Sequence, residues 1–184
     1  MNIAVYCSSK RDLEQRYIDI AQALGQWLGE HKHTLVFGGV NAGLMHVVAK
    51  ACHDSGGEVV GVITDNFAHL ADSVVDRLIT VGDLSQRKSQ MYRISDIHVV
   101  LPGGVGTIDE WMAALSQWIV DNRNGVGIVI ANIDGMYDHL LRQLHQLAAT
   151  PLAGEKHINS MAVANDAQAM IEKLNELTAL QNEK

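Results

Sequence analysis

The sequence predicts one doubly wound α/β domain over residues 1–184, with a mainly parallel sheet and helices on both of its faces. Three observations predict it. Short apolar runs recur along the whole chain, they lack the polar-apolar alternation of a half-wet sheet, and stretches of helical period separate them.

The elements follow in order. Residues 2–6 read as a first strand, after which Leu13, Tyr17, Ile20, Ala21, Leu24, Trp27 and Leu28 keep the spacing of one apolar helical face. Residues 34–37 form a second strand, with a helix over about 43–55, and residues 58–63 a third. A fourth strand at 78–81 leads to a helix over 83–95, where Asp83 followed by Gln86 marks the start. Strands at 97–101, 126–131 and 161–164 precede helices over 107–120, 135–149 and 166–180. There is no evident internal repeat, linker or low-complexity block.

Composition narrows the function. With 47% hydrophobic and 19% charged residues the chain can bury a sizeable core. The formal charge of −7, from 14 basic and 21 acidic residues, repels nucleic acid and anionic membrane surfaces, so neither is an expected partner and any bound anion needs a local site. Two cysteines, Cys7 and Cys52, are too few for a disulfide framework, and the apolar runs fall short of a spanning helix. With no leader signal ahead of the first strand, the expectation is a soluble, cytoplasmic protein in a reducing compartment.

Ligands of such sheets sit beyond the carboxyl ends of the strands, and three loops there are rich in small residues: Cys7-Ser8-Ser9, Gly38-Gly39 and Pro102-Gly103-Gly104-Val105-Gly106-Thr107. The last two lead into helices whose N-termini favour anions, which makes a phosphate-bearing ligand the natural guest. The run from Pro102 to Glu110 is neither a dinucleotide fingerprint nor a Walker loop, because the G-x-G-x-x-G and Lys-Ser/Thr signatures are missing. Its T-x-x-E spacing also admits a second reading, in which Thr107 and Glu110 form a capping box. Arg87 falls in an apolar stripe with Leu84, Met91 and Ile94, where a guanidinium needs a partner. The histidines, His31, His33, His46 and His53 among them, show no metal-ligand spacing.

Arg87-Lys88, Met91, Ser95-Asp96 and the P-G-G-x-G-T-x-x-E run resemble the LONELY GUY (LOG) family, the cytokinin riboside 5'-monophosphate phosphoribohydrolases, over Ile3 to about Leu141. The resemblance implies a Rossmann-like fold, a homodimer or assembly of dimers, and hydrolysis of the N-glycosidic bond of a nucleoside 5'-monophosphate to free base and ribose 5-phosphate, without metal or organic cofactor. It assigns Arg87 and Glu110 to catalysis. Lys88, Gly103, Gly104, Gly106 and Thr107 would contact the nucleotide, with Gly38, Gly39 and Ser8 as further contacts. Trp111, Leu115 and Trp118, at helical spacing, fit either the subunit interface or the chain's own core. Many relatives carry the label "possible lysine decarboxylase"; a pyridoxal phosphate enzyme needs a Schiff-base lysine, and the resemblance assigns Lys88, the only lysine in a motif, to nucleotide binding.

The chain departs from the family where C-G-S-S becomes Cys7-Ser8-Ser9, where Val40 and His46 replace glycines, where M-H-x-R-K becomes Leu84-Ser85-Gln86-Arg87-Lys88, and where the usual Tyr is Val105. A family Q-L-G-x-H-x-K-P stretch is replaced by the run from Ile119 to Val126. These changes bear on base preference more than on catalysis. A noncatalytic nucleotide carrier and a phosphoribosyl-transferring enzyme would use the same loops.

Overall fold

The computed structural model describes residues 1–182. Among them, strands β1 (Asn2–Tyr6), β2 (Thr34–Phe37), β3 (Glu58–Thr64), β4 (Arg77–Val81), β5 (Ile97–Val100), β6 (Ile128–Ala131) and β7 (Met161–Ala164) form one sheet in the order β4-β3-β2-β1-β5-β6-β7. Every neighbouring pair is parallel. The chain winds outward from β1 to β4, then returns to lay β5 against β1, with Val5 in register with Val99. That reversal opens a crevice between the carboxyl ends of β1 and β5.

Alternate residues of the central strands feed two cores. Ile3 and Val5 face one side, where helices α1 (Gln15–Glu30), α2 (Gly43–Asp54) and α7 (Ala167–Asn182) supply Leu24, Leu28, Val48, Cys52, Met170 and Leu174. Ala4 and Tyr6 face the other, covered by Met91 of α3 (Leu84–Arg93), Trp111, Leu115 and Trp118 of α4 (Val105–Val120), and Leu141 of α5 (Asp138–Ala148). Strands buried on both faces have no solvent side to carry polar residues, which is why their sequences do not alternate. Among the described residues no helix is long and apolar enough to cross a membrane.

The structure moves several expected boundaries. Helix α4 begins at Val105, two residues ahead of the expected start, with Gly104 as its N-cap. β6 begins at Ile128, two residues later than expected, and Gly127 before it lies under the Trp118 ring, which leaves no room for a Cβ. α5 begins only at Asp138, after a short 3-10 turn at Ile133–Gly135. A 3-10 segment at Asp65–Leu70, with no buried residue, and a four-residue helix α6 (Lys156–Asn159) were not expected. Trp111, Leu115 and Trp118 lie 0–4% exposed in the protein's own core, so they offer no surface to a second subunit. The expected start of α3 holds: the Asp83 carboxylate accepts the Gln86 N–H at 2.8 Å, and the Gln86 side chain accepts the Gly82 N–H at 3.1 Å.

Helices α1 and α2 pack so closely that a Cβ at Gly25 would stand 2.5 Å from the Val48 carbonyl oxygen and 2.6 Å from the Ala51 methyl. Gly25→Ala gains helix propensity of about 1 kcal/mol but forces these backbones apart, at a cost of about 1–3 kcal/mol. The expected outcome is a lower urea midpoint with an unchanged m-value; a raised midpoint would show that the helices separate freely.

Candidate active site

A cavity of about 360 Å³ occupies the crevice, walled by the loop after β1, the first turn of α4, and residues of α2 and α3. The two loops are tied together, since the Ser8 N–H donates to the Pro102 carbonyl at 3.1 Å. Met45 and Leu84 give the cavity apolar wall, while Lys10, Arg87, Lys88, Asp109 and Glu110 give it charge.

At its floor the Arg87 Nη2 donates to Glu110 Oε1 at 2.6 Å, with the side chains only 20% and 11% exposed. Gly38 makes this possible, because a Cβ there would lie 2.5 Å from the same Nη2. Burial raises the Glu110 carboxyl to about 7; Arg87 opposes the rise, Asp109 adds to it and Lys88 opposes it. Desolvation therefore outweighs a short charge-assisted bond. The Cys7 thiol on the cavity wall is also pushed up, by burial and then by Glu110, against Arg87, and remains protonated.

The glycine loop supplies the opposite wall. Gly104 and Gly106 face open space, and Ile108 makes the first backbone bond of α4, to the Gly104 carbonyl at 3.0 Å. The N–H groups of Val105, Gly106 and Thr107 thus lie in the first helical turn, where the backbone has no partner of its own to offer. Thr107 is the third residue of the helix and Glu110 turns to Arg87, so the pair does not form a capping box.

The remaining expected residues divide. Ser8 lines the cavity and its hydroxyl accepts the Lys10 N–H at 3.1 Å. Lys88 lines it too, with its ammonium donating to both Asp109 oxygens at 2.7 Å. Gly103 does not line it; it accommodates Thr107, whose Oγ1 would stand 2.0 Å from a Cβ. Gly39, at φ +76°, packs against Gly61 and Ile63 away from the cavity. Sequence reasoning missed Tyr137, whose buried hydroxyl donates to the Leu101 carbonyl at 2.9 Å just behind the loop. Nothing in its local sequence pattern flags a partner 36 residues away.

A parallel-sheet crevice that joins a glycine-loop helix start to a buried carboxylate and guanidinium places this chain among α/β proteins with a candidate ligand site at the carboxyl ends of the strands. The sequence family described as "possible lysine decarboxylase" matches residues 45–174. The chain is 34% identical over 176 residues to a probable cytokinin riboside 5'-monophosphate phosphoribohydrolase of Oryza sativa, LOGL9, covering 95% of this chain and 77% of that protein. It is 32% identical over 176 residues to the cytokinin riboside 5'-monophosphate phosphoribohydrolase LOG4 of Arabidopsis thaliana, covering 95% of this chain and 81% of that protein. The chain belongs to the LOG family. Among solved structures, the molybdenum cofactor carrier protein of Chlamydomonas reinhardtii superposes with a TM-score of 0.75 at 24% identity, over 97% of this chain and 98% of that one, which shows a shared fold.

Because burial lifts Glu110 to about 7, its carboxylate becomes the major form only above that pH. Turnover that needs the carboxylate should rise from acid with an apparent pKa near 7 and level off above it, and the limb should vanish in Glu110→Gln. A profile flat between pH 5 and 8 in the wild type would contradict this. The sign for stability is opposite: the folded state holds the proton more tightly than the unfolded chain, so Glu110's contribution falls as pH rises through about 7.

Proposed function

We propose that the protein hydrolyses the N-glycosidic bond of nucleoside 5'-monophosphates of the AMP type, cytokinin riboside monophosphates among them, to free base and ribose 5-phosphate. The observation that carries this reading is the Arg87–Glu110 pair at 2.6 Å on the floor of a cavity whose wall is the glycine-loop start of α4. Membership in a family of phosphoribohydrolases supports it.

The 5'-phosphate rests on the N–H groups of the first turn of α4, with Gly104 and Gly106 giving it close approach and Thr107 and Ser8 standing nearby. This remote contact fixes the ribose so that its anomeric carbon lies over Glu110. As the C–N bond breaks, its electron pair leaves with the base and positive charge develops on the sugar, which the carboxylate stabilises. Water then adds at the anomeric carbon, its proton passes to the carboxylate, and the departing base takes a proton from solvent. Arg87 holds Glu110 in place through its charge-assisted bond.

Lysine decarboxylation has less support. Lys88, the only lysine in a motif, has its ammonium donating to both oxygens of Asp109 rather than standing as a free amine. The homodimer expected of the family is retained as part of this proposal, on the resemblance alone. Cytoplasmic placement is part of the proposal on the two cysteines and the short apolar runs of the sequence.

Incubation with AMP and with adenosine, with free base and ribose or ribose 5-phosphate separated by chromatography, tests the reading. AMP should be cleaved with kcat/KM at least about 100-fold above adenosine, the size expected when a bound phosphate's energy is lost. Equal efficiency on the two would remove the phosphate cradle, and tight AMP binding without products would make the protein a carrier.

A further inference from the structure

An anion cannot sit against backbone N–H groups while neighbouring carbonyl oxygens point at it. The glycine loop meets this condition because each carbonyl from Leu101 to Gly104 is engaged by a donor. The Pro102 oxygen accepts the Ser8 N–H at 3.1 Å, and the Gly104 oxygen accepts the Ile108 N–H at 3.0 Å. The other two share one side chain: the Tyr137 hydroxyl donates to the Leu101 oxygen at 2.9 Å, and the Gly103 oxygen stands at 3.5 Å as a longer second acceptor.

Tyr137 is itself held at its backbone and at its ring. Its backbone N–H donates to Asn132 Oδ1 at 2.8 Å, and the Asn132 amide donates onward to Asp138 at 2.7 Å. Its ring meets Trp111 edge-on at 5.4 Å, and Trp111 follows Glu110 directly in α4. The side chain is 2% exposed, so water does not compete for the hydroxyl. Burial pushes the phenol's ionisation upward, which keeps it a donor.

We propose that Tyr137 is a positioning residue for the phosphate cradle, its hydroxyl turning the Leu101 and Gly103 carbonyls away from the ligand so that only N–H groups face it. This rests on the proposed phosphate role of the α4 start. Tyr137→Phe keeps the ring and its contact with Trp111 but frees two carbonyls to rotate toward the anion. With the phosphate at the α4 start as proposed, the consequence falls on phosphorylated ligands, because it is the anion that would meet the freed carbonyls.

Titration calorimetry of the full chain with ribose 5-phosphate and with ribose separates the effects. The wild type should bind ribose 5-phosphate far more tightly than ribose. Tyr137→Phe should weaken ribose 5-phosphate about tenfold, the size of one partly buried hydrogen bond acting on a charged group, and leave ribose within about twofold. In turnover the variant should lower kcat/KM for AMP while leaving that for adenosine within about twofold. Asn132→Ala, which leaves the hydroxyl but removes the acceptor of the Tyr137 N–H, should shift ribose 5-phosphate in the same direction by a smaller factor. If both ligands weaken equally in Tyr137→Phe, or neither changes, Tyr137 is a packing residue and the inference is overturned. If the wild type fails to favour ribose 5-phosphate over ribose, the phosphate cradle itself falls, a failure visible before any variant is made.

Discussion

Everything in the crevice is arranged around one buried contact, the 2.6 Å bond from Arg87 to Glu110. A carboxylate this poorly solvated costs free energy unless a cation answers it, and Arg87 answers only in part, since the carboxyl still rises to about 7. The result is a group that exchanges its proton near neutrality, in a place where a positive charge can develop beside it. Each partner comes from a helix on the same face of the sheet, Arg87 from α3 and Glu110 from α4.

The topology dictates where such a pair can form. β1 and β5 are neighbours in space but leave in opposite windings, so the loops that follow them part and leave a gap at their carboxyl ends. Two glycines then remove atoms rather than add contacts. Gly38 clears the space that the Arg87 guanidinium fills, and Gly103 clears that of the Thr107 hydroxyl. A methyl group at either position would displace the polar atom it faces, which makes these glycines part of the site's geometry even though neither lines the cavity.

Much of this is legible in the sequence because both-face burial leaves a plain mark. The inner strands show as unalternating apolar runs because neither of their faces meets water, whereas the edge strands β4 and β7 are apolar but partly exposed. Arg87 and Glu110 stand out because a charge in an apolar stripe and a carboxylate beside a glycine loop both need explanation. The start of α4 is harder to see, because Gly104 and Gly106 suppress the helical signal while the helix borrows its cap from the glycine backbone. Helical spacing shows that Trp111 and Trp118 share a face, yet it cannot say that the sheet rather than another subunit covers them. Tyr137 and Gly38 act through partners 36 and 49 positions away, contacts that only the fold creates.

The carboxylate of Glu110 is the central claim, and replacing it by an isosteric amide tests it most directly. Gln keeps the shape and an oxygen acceptor for Arg87 but cannot stabilise a developing cation or take a proton from water. Turnover of AMP and affinity for ribose 5-phosphate should be measured on one preparation of Glu110→Gln whose folding is verified by its melting curve. Product formation should fall by at least about 100-fold with ribose 5-phosphate still bound. A folded variant that cleaves AMP at near the wild-type rate would contradict it.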